Sequence, residues 1–252
     1  MSDEPHLSVT QLKMYLRCPL QYFFRYSCGL KTPPTGDLML GRIVHDTLRE
    51  NYRQKIQSRQ DLPLQQLTDI FSDYWERQID GTIFSDDEKP GQVKDEGVRM
   101  LTAYGKTIAP KVQPVAVEQE FLVKTGATAL PLKGYIDLID EQGLIIDHKT
   151  TKRSFPENSV AKDLQLTAYA MAFRTLYGRD ERGVRFDVMV RSSRPTVQPR
   201  IQQLSGKRTQ ADIDRFLRLA VQVERGIKAE AFYPSDNYMC GICGYGEMCE
   251  KW

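Results

Sequence analysis

Two acidic residues and a lysine stand where charge is least expected. Residues 134–150, Gly-Tyr-Ile-Asp-Leu-Ile-Asp-Glu-Gln-Gly-Leu-Ile-Ile-Asp-His-Lys-Thr, read as two apolar strands joined by a tight turn. Asp137 falls on the first strand, Asp147 and Lys149 on the second. Unpaired charge in an apolar setting is very costly, so these groups either pair with one another or hold a metal. Side chains alternate faces along a strand, so Asp147 and Lys149 point one way and the His148 side chain the other. A three-residue loop, Glu141 to Gly143 with Gly143 left-handed, pairs Asp140 with Leu144 and sets Asp137 opposite Asp147. The two carboxylates then lie about 5 Å apart at Cβ on one face. Like charges that close repel unless something positive sits between them. A divalent cation does this, and Mg²⁺ takes one or two carboxylates with waters and substrate phosphates.

The second chemical signal is Cys240-x₂-Cys243-x₅-Cys249 near the end of the chain. A Cys-x₂-Cys knuckle lets two thiolates grip one metal centre, with the intervening glycine freeing the backbone. Three thiolates are one short of a closed site. Cys18 and Cys28 are the candidates for the fourth, and Cys18, beside Pro19 at a helix break, is the better placed. The spacing leaves Zn²⁺ and an iron–sulphur cluster both open. Either would clip the first helix to the last residues, closing a loop of nearly the whole chain.

The elements that must position these groups follow from the pattern. Ser8-Val9-Thr10-Gln11 has the form of a capping box opening a helix that breaks at Cys18-Pro19. An aromatic cluster, Tyr22, Phe23, Phe24 and Tyr26, reads mostly as core. Helices are expected over 37–57, 63–79 and 93–108, so that 37–110 forms a helical insertion before the sheet. On the first of these, Gly41 and His45 share a face, with Gly41 allowing close approach of another element. Strands follow at 115–123, 132–139 and 144–150. A helix over 156–177 puts Lys162, Gln165, Leu166 and Tyr169 on one face. Strands at 184–190 and 197–204 and a helix over 209–229 complete the chain. The basic residues Lys152, Arg153, Arg191 and Arg194 fall near strand ends, and Arg17 and Arg25 flank the cysteine end.

With 252 residues, 40% hydrophobic and 27% charged, the chain is long enough for one large globular domain or two small ones, and 1–252 is read as a single domain. A net charge of +2 means that nucleic-acid binding must rest on a local patch. There is no run of about 18 apolar residues to span a membrane. The acidic start is unlike a secretory signal, so a cytoplasmic setting is expected, where five cysteines favour metal ligation over disulfides. No G-x-x-x-x-G-K-S/T motif is present, so any helicase activity must come from another chain.

Together these residues resemble the PD-(D/E)xK nuclease superfamily and, within it, the RecB/AddB-type exonucleases with an iron–sulphur cluster, including the CRISPR adaptation nucleases. Gly41-x-x-x-His45 matches a G-x-x-x-H motif, Gly134-x-x-Asp137 a G-x-x-D strand, Asp147-x-Lys149-Thr150 a D-x-K-T strand, and Gln165-x-x-x-Tyr169 a Q-x-x-x-Y helix. Cys18, Cys240, Cys243 and Cys249 match the split cysteine pattern of the cluster-bearing branch. Ile136 replaces the proline that names the superfamily, and His148 stands where tyrosine is frequent, with little consequence expected. The acidic residue common on the preceding strand is either Glu118 or Glu120.

The resemblance implies an α/β, restriction-endonuclease-like core: a mixed sheet over 115–204 flanked by helices, with a clasp of 238–252 and Cys18. It implies a Mg²⁺- or Mn²⁺-dependent deoxyribonuclease acting on single-stranded DNA or DNA ends, in recombination, repair or CRISPR spacer acquisition. His45, Asp137, Asp147 and the His148 carbonyl would hold the metal, Asp137, Asp147 and Lys149 would be catalytic, and the cysteines would hold a 4Fe–4S cluster, with structural Zn²⁺ as the alternative. Gln165, Tyr169, Lys152 and Arg153 would meet substrate. Expected partners are DNA and a helicase or CRISPR adaptation proteins, with a homo-oligomer left open and no membrane. Two alternatives remain: a DNA-end-binding subunit active only within a helicase–nuclease or adaptation complex, and a zinc-stapled scaffold whose Asp–Lys hairpin is structural.

Overall fold

The computed structural model describes residues 5–192, 194 and 196–252; the acidic start, Ser193 and Pro195 lie outside them. The capping box forms as expected: the Ser8 hydroxyl accepts from the Gln11 N–H, and the Gln11 side chain accepts from the Ser8 N–H. It opens α1, Val9–Arg17. Cys18 then turns to an extended conformation and Pro19, with no N–H to give, starts α2, Pro19–Tyr22. A π-type turn over Phe23–Ser27 follows. Three helices come next: α3, Gly36–Ser58; α4, Leu64–Gln78; and α5, Pro90–Thr107.

The sheet has six strands, mixed in direction. An unforeseen two-residue strand, β1, Leu7–Ser8, precedes α1. The others are β2, Pro114–Val123; β3, Leu132–Asp140; β4, Leu144–Thr151; β5, Gly183–Val190; and β6, Arg200–Gly206. β3 runs antiparallel to β2 and β4; β1 joins it in parallel; β4 and β5 are parallel; β6 is antiparallel to β5. Between β4 and β5 runs α6, Leu164–Tyr177, the crossover that a parallel pair requires. After the sheet come α7, Gln210–Lys228, capped by Thr209, and a short α8, Gly246–Cys249.

Two expectations are corrected. The helix expected over 156–177 begins at Leu164, because Asp163 caps it by accepting from the Leu166 N–H; a 3₁₀ turn, Glu157–Val160, occupies the earlier part. Lys162 therefore lies before the helix and does not share its face. The last strand begins at Arg200 rather than Val197, its register set by β5, with Val184 opposite Gly206 and Val190 opposite Arg200.

Two cores flank the sheet. One packs α1, α6 and α7 through residues such as Leu12, Leu166, Phe173 and Phe216. The other packs α3, α4 and α5 through Leu40, Tyr52, Phe71, Trp75 and Met100. The expected 37–110 helical segment is thus a full layer of the fold. It lies close on the sheet at Gly41, where a Cβ would come 2.9 Å from Thr150 Oγ1.

The hairpin turns as its sequence requires. Gly143 has φ +79°, and the Asp140 carboxylate accepts from the Gln142 and Leu144 N–H groups. Leu138 pairs with Ile146 and Ile139 with Ile145, the register that carries Asp137 opposite Asp147. Beyond those pairs the strands part, and β4 continues along β5. On the same edge of β3, β1 takes up Leu132 and Lys133. The backbone of residues 134–137 lies between these two pairings, and this opening in the sheet holds the site.

Candidate active site

Asp137 sits where the strands part, and its surroundings come from three layers. His45 on α3 places Nε2 2.6 Å from Asp137 Oδ2. Tyr169 on α6 donates its hydroxyl to Oδ1 at 3.1 Å. The His148 backbone N–H, which the diverging strands leave without a β3 carbonyl, donates to Oδ2 at 3.2 Å. A change of strand face accompanies this. Ile136 packs in the α6-side core and Leu138 in the α3-side core, although residues two apart on a regular strand share a face. Across on β2, Glu118 has φ +51°, a left-handed value that a non-glycine residue adopts at a cost of about 1–3 kcal/mol. That twist aims Glu118 at His45, with Oε1 3.2 Å from Nδ1. Glu120, by contrast, faces outward to Lys133 and Tyr135. The choice between the two acidic residues, open in the sequence, falls to Glu118.

Asp147 is fully buried on β4. Lys149 Nζ forms a close ion pair with its Oδ2 at 2.6 Å, while Oδ1 has no partner. Lys149 also donates to Gln165 Oε1 at 3.1 Å. Gln165 donates in turn to the Tyr169 hydroxyl at 2.7 Å, and Tyr169 to Asp137. The Gln-x-x-x-Tyr pair, expected to meet substrate, thus also tethers the lysine to the first carboxylate.

The electrostatics follow from this crowding. Both His45 nitrogens face carboxylates, so both act as donors and the ring is an imidazolium. Burial opposes that charge, but Asp137, Glu118 and Asp147 outweigh it and raise His45 to about 9. Burial likewise opposes ionisation of Asp137, but His45 and Lys149 outweigh it and hold the carboxyl at about 2. Asp147 goes the other way: burial and the neighbouring Asp137 charge raise it to about 7, against the pull of Lys149. Burial also pushes Glu118 up, with Asp137 adding to the rise and His45 opposing it.

The His148 side chain is part of a buried polar network on the α3 side. Nε2 meets the Tyr104 hydroxyl at 3.0 Å, and Tyr104 donates to Asp187, which also receives Arg185 and Gln203. The Tyr52 hydroxyl lies 3.0 Å from that of Tyr104. Burial lowers His148 to about 4, so the ring is neutral. One donor atom each from His45, Asp137 and His148 falls within 4.8 Å of the others. The donor set, imidazole and carboxylate, suits a divalent cation; Asp147 is not part of this group, and its Oδ2 is ion-paired with Lys149.

Lys152 and Arg153 do not line the Asp137 cleft; they border an adjoining cavity with Asp37, Thr150 and Arg191. Lys152 lies 3.0 Å from both Asp37 and Glu88, and Arg191 is held by Asp37, Glu88 and Glu96. Tyr22 is core, stacked beside Phe232. At the far end of the molecule Cys18, Cys240, Cys243 and Cys249 line one cavity of about 400 Å³, and Cys28 lies outside it. None is in a disulfide.

A mixed sheet parts over two carboxylates and a lysine, with an imidazole from the flanking helix, an arrangement able to hold a divalent cation. The profile of the PD-(D/E)XK nuclease superfamily matches residues 6–250, and the chain belongs to that superfamily. Its members use divalent metals. Among solved structures, a protein from Eubacterium rectale provisionally described as an exonuclease shares the fold at TM-score 0.57 and 13% identity, over 94% of this chain and 86% of that one. The protein SSO0001 aligns at TM-score 0.47 and 12% identity, over 100% of this chain and 88% of that one. No curated protein matches the chain. No helix among the described residues is long and apolar enough to cross a membrane.

Proposed function

We propose that the chain is a Mg²⁺- or Mn²⁺-dependent exonuclease of the RecB/AddB type, hydrolysing phosphodiester bonds in single-stranded DNA or at DNA ends. The observation that carries this reading is the pair of buried carboxylates at the parting of β3 and β4, one held by His45 and Tyr169, the other ion-paired with Lys149. A divalent ion bound there supplies Lewis-acid polarisation of the phosphate and a water of lowered pKa. Asp137, Asp147, His45 and the His148 carbonyl would hold it. His148 acts through its strand: the side-chain network with Tyr104 and Asp187 fixes the β4 backbone at that point. Glu118, on the other nitrogen of His45, orients the ring as outer-shell carboxylates orient metal-binding imidazoles. Lys149, braced by Gln165, orients the attacking water and offsets charge on the phosphate oxygens.

The four cysteines are assigned to a 4Fe–4S cluster. Their split pattern, Cys18 with Cys240-x₂-Cys243-x₅-Cys249, and their shared cavity support this, with structural Zn²⁺ as the alternative. The Asn237 N–H points at Cys240 Sγ (3.4 Å) and the Gln21 amide at Cys243 Sγ (3.8 Å), as donors to thiolates do.

Anaerobically purified protein is expected to be brown and to degrade end-labelled single-stranded DNA with Mg²⁺ or Mn²⁺. Lys149→Ala should lower kcat by about 10²–10³ while leaving metal affinity nearly intact. Undiminished metal-dependent cleavage by Lys149→Ala or Asp147→Ala would refute the site, and a colourless protein with stoichiometric zinc would refute the cluster.

A further inference from the structure

The cleft at Asp137 is longer than the catalytic set needs. It encloses about 490 Å³ and runs from His45, Gln165 and Tyr169 along β3 past Gly134 and Tyr135 to Lys133. Its far wall is the start of α1, Ser8 to Thr10, and Arg49 on α3 closes the side. This is the opening in β3 between its pairings with β1 and β4. Tyr135 lies two residues from Asp137, about 7 Å along the strand. It is 42% exposed, whereas Tyr169, the other tyrosine of the cleft, is buried and committed to Asp137. Its hydroxyl donates to Glu120 Oε1 at 3.1 Å, and Glu120 is its cross-strand partner on β2, so the far end of the ring is tied down. Glu120 also meets Lys133 at 3.2 Å.

At the reacting phosphate the proposed cation and Lys149 supply the attraction. Further along the lining Arg49 and Lys133 are accompanied by Asp46 and Glu118, so little net charge is left there to position the next nucleotide. The stacking of a base on the Tyr135 ring supplies what Coulomb attraction at that point does not.

We propose that Tyr135 is a nucleobase-stacking subsite for the unpaired nucleotide next to the scissile phosphate. This rests on the nuclease reading above and narrows its substrate to strands whose terminal bases are splayed from any duplex.

The test uses end-labelled single-stranded oligonucleotides with one abasic position, placed in turn at each of the first nucleotides. On the wild-type protein, an abasic residue at one position flanking the cut should raise KM by about 5- to 150-fold, the range of one lost base stack, with kcat within about twofold. Tyr135→Ala should raise KM on the intact strand by a similar factor and be indifferent to that abasic residue. Tyr135→Phe, which keeps the ring and loses only the tie to Glu120, should stay near wild type. Cleavage by the wild type with no abasic penalty at any flanking position overturns the subsite and leaves the nuclease reading standing. A penalty of equal size in Tyr135→Ala also overturns it. If the wild type neither binds nor cleaves the intact strand, both fall together.

Discussion

Metal binding at this site should expel protons, and the number is set by geometry. His45 faces a carboxylate with each nitrogen and is raised to about 9, so at pH 7 it carries about one proton. Asp147 is raised to about 7 and carries about half a proton there. Asp137, held at about 2, carries none. An ion that takes His45 and both carboxylates as ligands must displace what they bind, so about 1.5 protons should leave per ion at pH 7. The release should rise toward about 2 near pH 6 and fall to about 1 near pH 8. Linkage turns this into affinity, which should strengthen about 30-fold for Mn²⁺ between pH 6.5 and pH 7.5. Titration calorimetry of metal-free protein, repeated in buffers of different ionisation enthalpy, reads the proton count directly. About 0.5 protons at pH 7 would remove His45 from the ligand set and leave the carboxylates. No release at all would refute the assignment of both groups.

The same groups set the pH dependence of the metal-free fold. Asp147 is raised above its unfolded value, so the folded state holds a proton that the unfolded chain sheds, and stability falls as pH rises from about 4 to about 7. Asp147→Asn should abolish that decline, giving a higher Tm than wild type at pH 8 without metal and no further rise with Mn²⁺. In the cysteine clasp, Cys18→Ser should lose the visible chromophore and most soluble protein, whereas Cys28→Ser, outside the cavity, should be silent in absorbance and Tm. On α5, Gly97→Ala would place Cβ 2.2 Å from Phe71 Cζ and should cost about 1–3 kcal/mol, read as a lower denaturant midpoint. Gly91→Ala on the same helix meets nothing within 4 Å and should be neutral or slightly stabilising.

The chain itself determined which charged groups fall on the hairpin and much of how they are spaced. Alternation along 134–150 and a glycine at 143 were enough to fix the hairpin register, because a one-residue slip would turn every side chain to the wrong face. The capping box at Ser8 and the proline at 19 were legible for the same reason: local hydrogen-bond needs act over three or four residues. The helix start at Leu164 was not, since a 3₁₀ turn and an α-helix share short-range pattern and the Asp163 cap decided between them. Only the tertiary structure could choose Glu118 over Glu120, because the choice depends on a left-handed residue in mid-strand that reverses which side chains face α3. Only packing could show that Lys152 and Arg191 are drawn into carboxylates from α3 and α5, or that Gln165 and Tyr169 link Lys149 to Asp137. The sequence places charges along a line. Which of them meet depends on where the strands part and which helix lies across the gap, and that is fixed by contacts between residues as far as 154 positions apart.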